Sequence, residues 1–230
     1  MHFCHSDEIW KNYPELVPGV LWTAGITKDA AVESEIEKFT ATAQSRLAAS
    51  AESELPEINA WRRVFSRMGL KPTQYRCAAE ALLRRLRKEG TLPRIHPLID
   101  LCNAVSLAYA IPVAVFDVAR IEEYLEVRHA AGSETYLAFS GETENPEVRE
   151  VIFADKAGRA HARRWTNRQS AFSAVRAETA AVLIVAEAMH ETAAADVPRL
   201  TATLAQAIGT IWTAAPRTAL LGASAPRFAF

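Results

Sequence analysis

Up to Tyr109 the apolar residues recur every three or four positions. From Ile111 onward they fall into short β-branched runs, and this switch of period constrains the fold more than any other feature of the chain. Val32, Ile36, Phe39, Ala43 and Leu47 form one helical stripe within residues 29–50. Pro56 suits a first helical turn, and Ile58, Trp61, Val64, Phe65 and Met68 carry a second stripe to Gly69, a natural C-terminal stop. A third helix is predicted over residues 75–89, closed by Gly90, and a fourth over 97–109.

Beyond the switch, residues 112–116, 124–128, 135–139, 151–153 and 161–165 are short strand candidates separated by Asp, Gly, Asn or Pro breaks, the pattern of a meander. The run 180–186 reads as a buried strand by composition, and 197–212 as a last amphipathic helix with Pro198 in its first turn. Near the start, Leu16 to Trp22 is apolar around Pro18-Gly19, the signature of an edge or bulged strand. The predicted class is α+β: N-terminal helices, then a largely antiparallel or mixed sheet, then a C-terminal helix.

Half of the residues are apolar, enough for a sizeable core, and no repeat, low-complexity tract or Gly/Ser linker divides the chain. One domain over residues 1–230 is the economical expectation. Cys4, Cys77 and Cys102 are far apart with no CxxC pair, so neither a disulfide framework nor a zinc site is implied. The N-terminus lacks a basic segment followed by an apolar run, and charge interrupts the other apolar stretches before they reach membrane-spanning length. A cytoplasmic protein without membrane contact is expected.

The formal net charge is −1, but its distribution is uneven. Residues 29–57 carry Asp29, Glu33, Glu35, Glu37, Glu52, Glu54 and Glu57 against Lys38 and Arg46, a stretch that repels phosphate. Residues 61–94 carry Arg62, Arg63, Arg67, Lys71, Arg76, Arg84, Arg85, Arg87, Lys88 and Arg94 against Glu80 and Glu89, a net of +8. A solvated helix face explains such a run, and so does a surface for a polyanion.

Phosphate-loop, dinucleotide, α/β-hydrolase and zincin motifs are all missing, and no local pattern singles out a serine as nucleophile. No cofactor is expected. His2, Cys4 and His5 are crowded enough to attract a metal, but a frayed N-terminus would give them no rigid support, so no metal site is expected either.

Two segments are too polar to be simple connectors. Residues 90–103 hold two prolines ahead of a helix whose first turns carry His96, Asp100 and Asn103, at spacings that place them near one face. Helix-start signalling and local hydrogen bonding account for the same residues. Residues 163–170, Arg163-Arg164-Trp165-Thr166-Asn167-Arg168-Gln169-Ser170, surround one aromatic with donors and acceptors, a group able to stack a base and grip a phosphate. A core tryptophan flanked by surface arginines explains it equally.

The stretch Leu92-Pro93-Arg94-Ile95-His96-Pro97-Leu98-Ile99-Asp100-Leu101-Cys102-Asn103, followed by Ile111-Pro112-Val113-Ala114-Val115-Phe116-Asp117, resembles the B3/B4 editing domain in the β chain of phenylalanyl-tRNA synthetase. The free-standing B3/B4 proteins are more similar still, through Lys71-Pro72-Thr73-Gln74-Tyr75, Ala79-Glu80-Ala81-Leu82-Leu83-Arg84-Arg85, residues 147–155, Arg163-Arg164-Trp165 and Arg168-Gln169-Ser170. The resemblance covers roughly residues 10–187. His96 stands where these loops have Asn, and Thr166-Asn167 where a more aromatic pair is usual.

The resemblance implies a trans-acting editor that hydrolyses the ester of a mischarged aminoacyl-tRNA with an oriented water. Under that reading His96, Asp100, Asn103 and Asn167 are the catalytic candidates, while Tyr75, Arg164, Trp165, Arg168, Gln169 and Ser170 bind substrate. Arg84, Arg85, Arg87, Lys88 and Arg94 would meet the tRNA backbone. Residues 92–103 and 163–170 are expected to converge on one pocket. The partner is tRNA or aminoacyl-tRNA. The alternatives are a non-catalytic tRNA- or amino-acid-binding module, or a small-molecule domain with no nucleic acid.

Overall fold

The switch of period at Ile111 is also where the architecture turns from helices to sheet. The computed structural model describes residues 1–230. In chain order the elements are β1 (His2–His5), α1 (Asp7–Asn12), β2 (Val17–Ala24), α2 (Glu33–Ala49), α3 (Pro56–Arg67), α4 (Ala78–Glu89) and α5 (Pro97–Tyr109). There follow β3 (Val113–Asp117), β4 (Tyr124–His129), β5 (Tyr136–Leu137), β6 (Thr143–Glu144), β7 (Val151–Asp155), β8 (Ala160–Arg163), β9 (Arg168–Gln169), β10 (Ala181–Ala188), α6 (Ala193–Trp212), β11 (Arg217–Leu220) and β12 (Arg227–Ala229). The class is α+β. No helix is long and apolar enough to cross a membrane.

A six-stranded sheet runs β12-β1-β4-β7-β8-β9, a four-stranded sheet runs β11-β2-β10-β3, and β5 and β6 form a separate ribbon. Pairing is antiparallel throughout except between β1 and β4, which are parallel. Of the five strands expected to form a meander, β4, β7 and β8 do so, continued by β9 and extended on the other side by β1 and β12; β3 pairs instead with β10 in the four-stranded sheet, and β5 pairs with β6.

β10 explains why its sequence reads as continuously apolar: both of its faces are buried. Val182, Ile184 and Ala186 join the cluster formed with α5 and α6, through Leu101, Val105, Val197 and Leu204. Leu183 and Val185 join the other cluster, with Trp61, Phe116, Phe153 and Trp165. The pleat then turns the next residue of that second face, Glu187, into the same apolar interior, where it is 2% exposed.

Four further elements differ from expectation. The N-terminus is not frayed: β1 lies inside the six-stranded sheet, with His5 buried. β2 is not an edge strand, because β11 returns to cover it, pairing Leu220 with Gly19 and leaving Pro18 just outside that ladder. α6 starts earlier than predicted, so Pro198 sits inside the helix rather than in its first turn. The third helix starts at Ala78, capped by Cys77, whose sulfur accepts from the Glu80 N–H at 3.5 Å.

Gly19 has a steric reason. A Cβ there would lie 2.4 Å from Thr201 Oγ1 and 2.7 Å from Val197 Cγ1, so α6 crosses β2 in direct contact with its backbone.

Candidate functional site

β8 ends at Arg163, and the chain turns through Arg164 and Trp165, both left-handed at φ 47° and 59°, before β9 begins. Neither residue is glycine, and each such conformation costs about 1–2 kcal/mol. Tertiary bonds hold the turn: Trp165 N donates to Val151 O at 2.7 Å and Ala78 N donates to Thr166 O at 2.8 Å. The result drives the Trp165 indole inward, fully buried, edge-to-face against both Tyr13 and Trp61.

There it meets Glu187. Trp165 Nε1 donates to both carboxylate oxygens at 3.1 and 3.0 Å, and His5 Nε2 lies 2.7 Å from Oε1. Trp61 Nε1 donates to the Glu187 carbonyl at 3.2 Å. A carboxylate in an apolar interior is tolerable only with such donors around it. His5 Nδ1 is buried with no hydrogen-bond partner.

Glu187 forms part of the wall of a cavity of about 60 Å³ between the two sheets. Pro112, Val113, Ala114, Phe153, Ala162 and Val185 make its apolar walls, and residues 165–169 close one side. The amide groups of two side chains there are anchored by their nitrogens: Asn167 Nδ2 donates to Arg76 O at 2.8 Å, and Gln169 Nε2 to Val115 O at 2.5 Å. Their carbonyl oxygens accept no hydrogen bond within the chain. The cavity thus offers acceptors in an apolar enclosure, a setting suited to a small apolar group carrying an ammonium.

The expected convergence of the two polar segments does not occur. Asp100 and Asn103 lie beside a different cleft, about 360 Å³, between α2 and α5, together with Glu37, Thr40, Gln44 and Thr91. The reason is which face of α5 carries them: Leu98, Leu101, Val105 and Ala108 cover the four-stranded sheet, so the polar face turns toward α2. His96 is the N-cap, its Nδ1 accepting from Leu98 N at 3.2 Å. Burial lowers its pKa, partly offset by Asp100. Asp100 accepts from Ile95 N at 2.9 Å and lies 4.0 Å from Arg94.

Other candidates of residues 163–170 are also committed to the fold. The burial of Trp165 removes it as an exposed stacking surface. Ser170 is buried, donating to Leu137 O at 2.9 Å and accepting from Phe172 N at 3.1 Å. Arg168 forms a bidentate pair with Glu144 at 3.1 and 3.0 Å over the Tyr136 ring. Arg164 differs: it makes no ion pair and lies 4.8 Å over the Tyr75 ring in a separate cleft of about 750 Å³.

Charge in the basic stretch is partly neutralised by the acidic one. Glu52, buried, pairs with Arg84 at 3.0 Å and Arg87 at 2.7 Å, and Arg85 pairs with Glu89 at 2.8 Å. Glu80 sits between Arg62 and Arg76 at 3.5 Å each, and burial raises its pKa against their attraction. Lys88 keeps its charge unpaired beside them.

Ser173, His161 and Asp155 do align, with Oγ to Nδ1 at 2.8 Å and Nε2 to Oδ2 at 3.1 Å, but all three are buried, so no substrate reaches the hydroxyl. They fasten β7 and β8 to the turn at 171–173. Sequence reasoning missed Glu187, and weighed His5 only as part of a doubtful metal cluster with His2 and Cys4. The available signal was a lone carboxylate near the end of an otherwise apolar strand.

The B3/4 domain family model matches residues 60–202. The phenylalanine–tRNA ligase beta subunit of Bradyrhizobium diazoefficiens is 37% identical over 79 residues, 34% of this chain and 10% of that protein. That of Coxiella burnetii is 38% identical over 77 residues, 33% of this chain and 10% of that protein. Among solved structures, an N-terminal fragment of the phenylalanyl-tRNA synthetase beta subunit from Pyrococcus horikoshii aligns with 94% of this chain and 49% of that one, with a TM-score of 0.46 and 9% identity.

Proposed function

The chain belongs to the B3/4 domain family, and on that premise we propose that it edits aminoacyl-tRNA, hydrolysing the ester of a mischarged one in the Glu187 cavity. The curated relatives are named as beta subunits of a tRNA ligase, and the matched stretch spans about a tenth of their length.

The observation that carries it is the set of acceptors in an apolar enclosure: the Glu187 carboxylate and the free carbonyl oxygens of Asn167 and Gln169. An aminoacyl group presents an ammonium to such acceptors and its side chain to Val113, Ala114 and Val185. The small volume favours a small side chain. An ester needs no covalent nucleophile when a water is oriented against it. Glu187 takes a proton from that water as its oxygen bonds to the ester carbon; the acyl–ribose C–O bond then breaks, and Glu187 returns the proton to the departing ribose oxygen, restoring the carboxylate that His5 holds at 2.7 Å. His96, Asp100 and Asn103 take no part in the ester step. Lys88, an unpaired cation of the basic stretch, is left for the tRNA backbone.

A second reading is favoured by the three donor contacts that already hold the Glu187 carboxylate: recognition of an aminoacyl end without hydrolysis. A deacylation screen against a panel of mischarged tRNAs, run with wild type, Glu187→Gln and Asn167→Ala, separates the two. Editing requires release of at least one amino acid, with turnover falling more than affinity in both variants. Binding of aminoacyl-tRNA with no release from any member of the panel would leave recognition alone.

A further inference from the structure

The cleft of about 360 Å³ between α2 and α5 has no part in the ester step, yet it is lined by polar groups that the fold leaves uncommitted. Asp100 is the most telling of them. Its side chain is only 8% exposed, and Oδ1 accepts from Ile95 N at 2.9 Å. Oδ2 accepts no hydrogen bond and has only the half-exposed Arg94 guanidinium, 4.0 Å away. A carboxylate withdrawn from water with one oxygen unsatisfied is costly, and a donor inside the cleft relieves that cost.

A second carboxylate comes from the other helix. Glu37 of α2 lines the same cleft and makes no ion pair, whereas Glu35 nearby is paired with Lys38 at 3.4 Å and lines a different pocket. Thr40 and Gln44 follow Glu37 at helical spacing, and Asn103 follows Asp100 on α5. None of these three side chains is hydrogen-bonded within the chain. Ile36, Ala104 and Leu107 give the cleft its apolar lining.

These groups select a class of ligand. An amino acid would bring a third carboxylate to a cleft whose single basic residue already faces Asp100. A metal ion would find no group of three His, Cys, Asp or Glu side chains together. An aliphatic diamine matches every feature. Its two ammonium ends meet the two carboxylates, their remaining N–H groups reach the amide and hydroxyl oxygens, and its methylenes cover the apolar side chains.

We propose that this cleft binds a small aliphatic diamine, with one ammonium on Asp100, the other on Glu37, and the methylene chain against Ile36 and Leu107. The cleft shares no lining residue with the Glu187 cavity, so the proposal stands apart from the editing reading.

The test follows amide shifts in the NMR spectrum of the full chain as putrescine is added at physiological ionic strength, with butylamine, butanediol and magnesium chloride as comparisons. Putrescine shifts amides of α2, α5 and the loop at 90–95 and saturates. Butylamine, lacking the second ammonium, binds about tenfold or more weakly, and butanediol does not bind. Asp100→Asn keeps an oxygen for Ile95 N while removing the charge, and Glu37→Gln removes the other. Each weakens putrescine binding by about tenfold or more. Glu178→Gln, an exposed carboxylate outside the cleft, leaves it unchanged. Should Asp100→Asn not fold, Glu37→Gln carries the test, because that exposed side chain has no partner within the fold.

Absence of saturable putrescine binding, or equal binding by wild type and a folded cleft variant, overturns the proposal. So does butylamine or butanediol binding as tightly as putrescine, which would leave a pocket for one ammonium or for a neutral chain. Shifts reproduced by magnesium would overturn it as well, reducing the cleft to a patch of general negative charge.

Discussion

Replacing Glu187 tests the buried centre most directly, because alanine and glutamine should differ sharply. Alanine leaves the Trp165 N–H and the His5 imidazole without their shared acceptor and opens space between the sheets. Removing one partner of a buried charged network costs about 3–5 kcal/mol. For a chain of this size that corresponds to a fall in Tm of about 6–20 °C. Glutamine keeps a carbonyl for Trp165 and offers an amide to His5 Nε2, which accepts once the imidazole proton sits on the unpartnered Nδ1. Its cost should stay below about 1.5 kcal/mol. Denaturant unfolding of the three proteins at neutral pH measures both differences. Glutamine as damaging as alanine would refute the exchange of partners and show that the site needs a full negative charge. Alanine within about 1 kcal/mol of wild type would refute the structural importance of the cluster.

Asp196 has its pKa held down to about 2: burial works against this, but hydrogen bonds from Thr192, His190 and Arg199 prevail. Its stabilising contribution is fully present above the ordinary value of 3.8 and is lost as pH falls toward 2, so Asp196→Asn should flatten the stability slope in that window, read from denaturation midpoints against pH. Gly19→Ala should destabilise by about 1–3 kcal/mol through contact with Thr201 and Val197, and adding Thr201→Ala should recover part of the loss in the same unfolding assay. An equally destabilised double variant would refute the steric cause. Lys88→Ala should lower the salt slope of tRNA binding by about one unit without changing stability, whereas Arg84→Ala with Arg87→Ala should also destabilise the fold by stranding Glu52. An unchanged slope for Lys88→Ala would show that this face does not meet tRNA.

The sequence by itself determined the α+β class and the stripes of α2, α3 and α5, because these depend on periods of two or of three and four within one segment. It also marked Tyr75, Arg164, Asn167 and Gln169, polar or aromatic residues at breaks in regular structure. Only the tertiary structure decided what each face meets. Asp100 and Asn103 turn toward α2 because the opposite face of α5 is claimed by the four-stranded sheet. Glu52 enters the basic stretch and cancels charge that a linear count leaves free. Glu187 joins the cavity wall because β10 is covered on both faces, and His5 reaches it because β1 pairs with β4, far along the chain. Local period is fixed by neighbours in sequence, whereas the partner of a buried carboxylate is fixed by which distant strands pair and in what register.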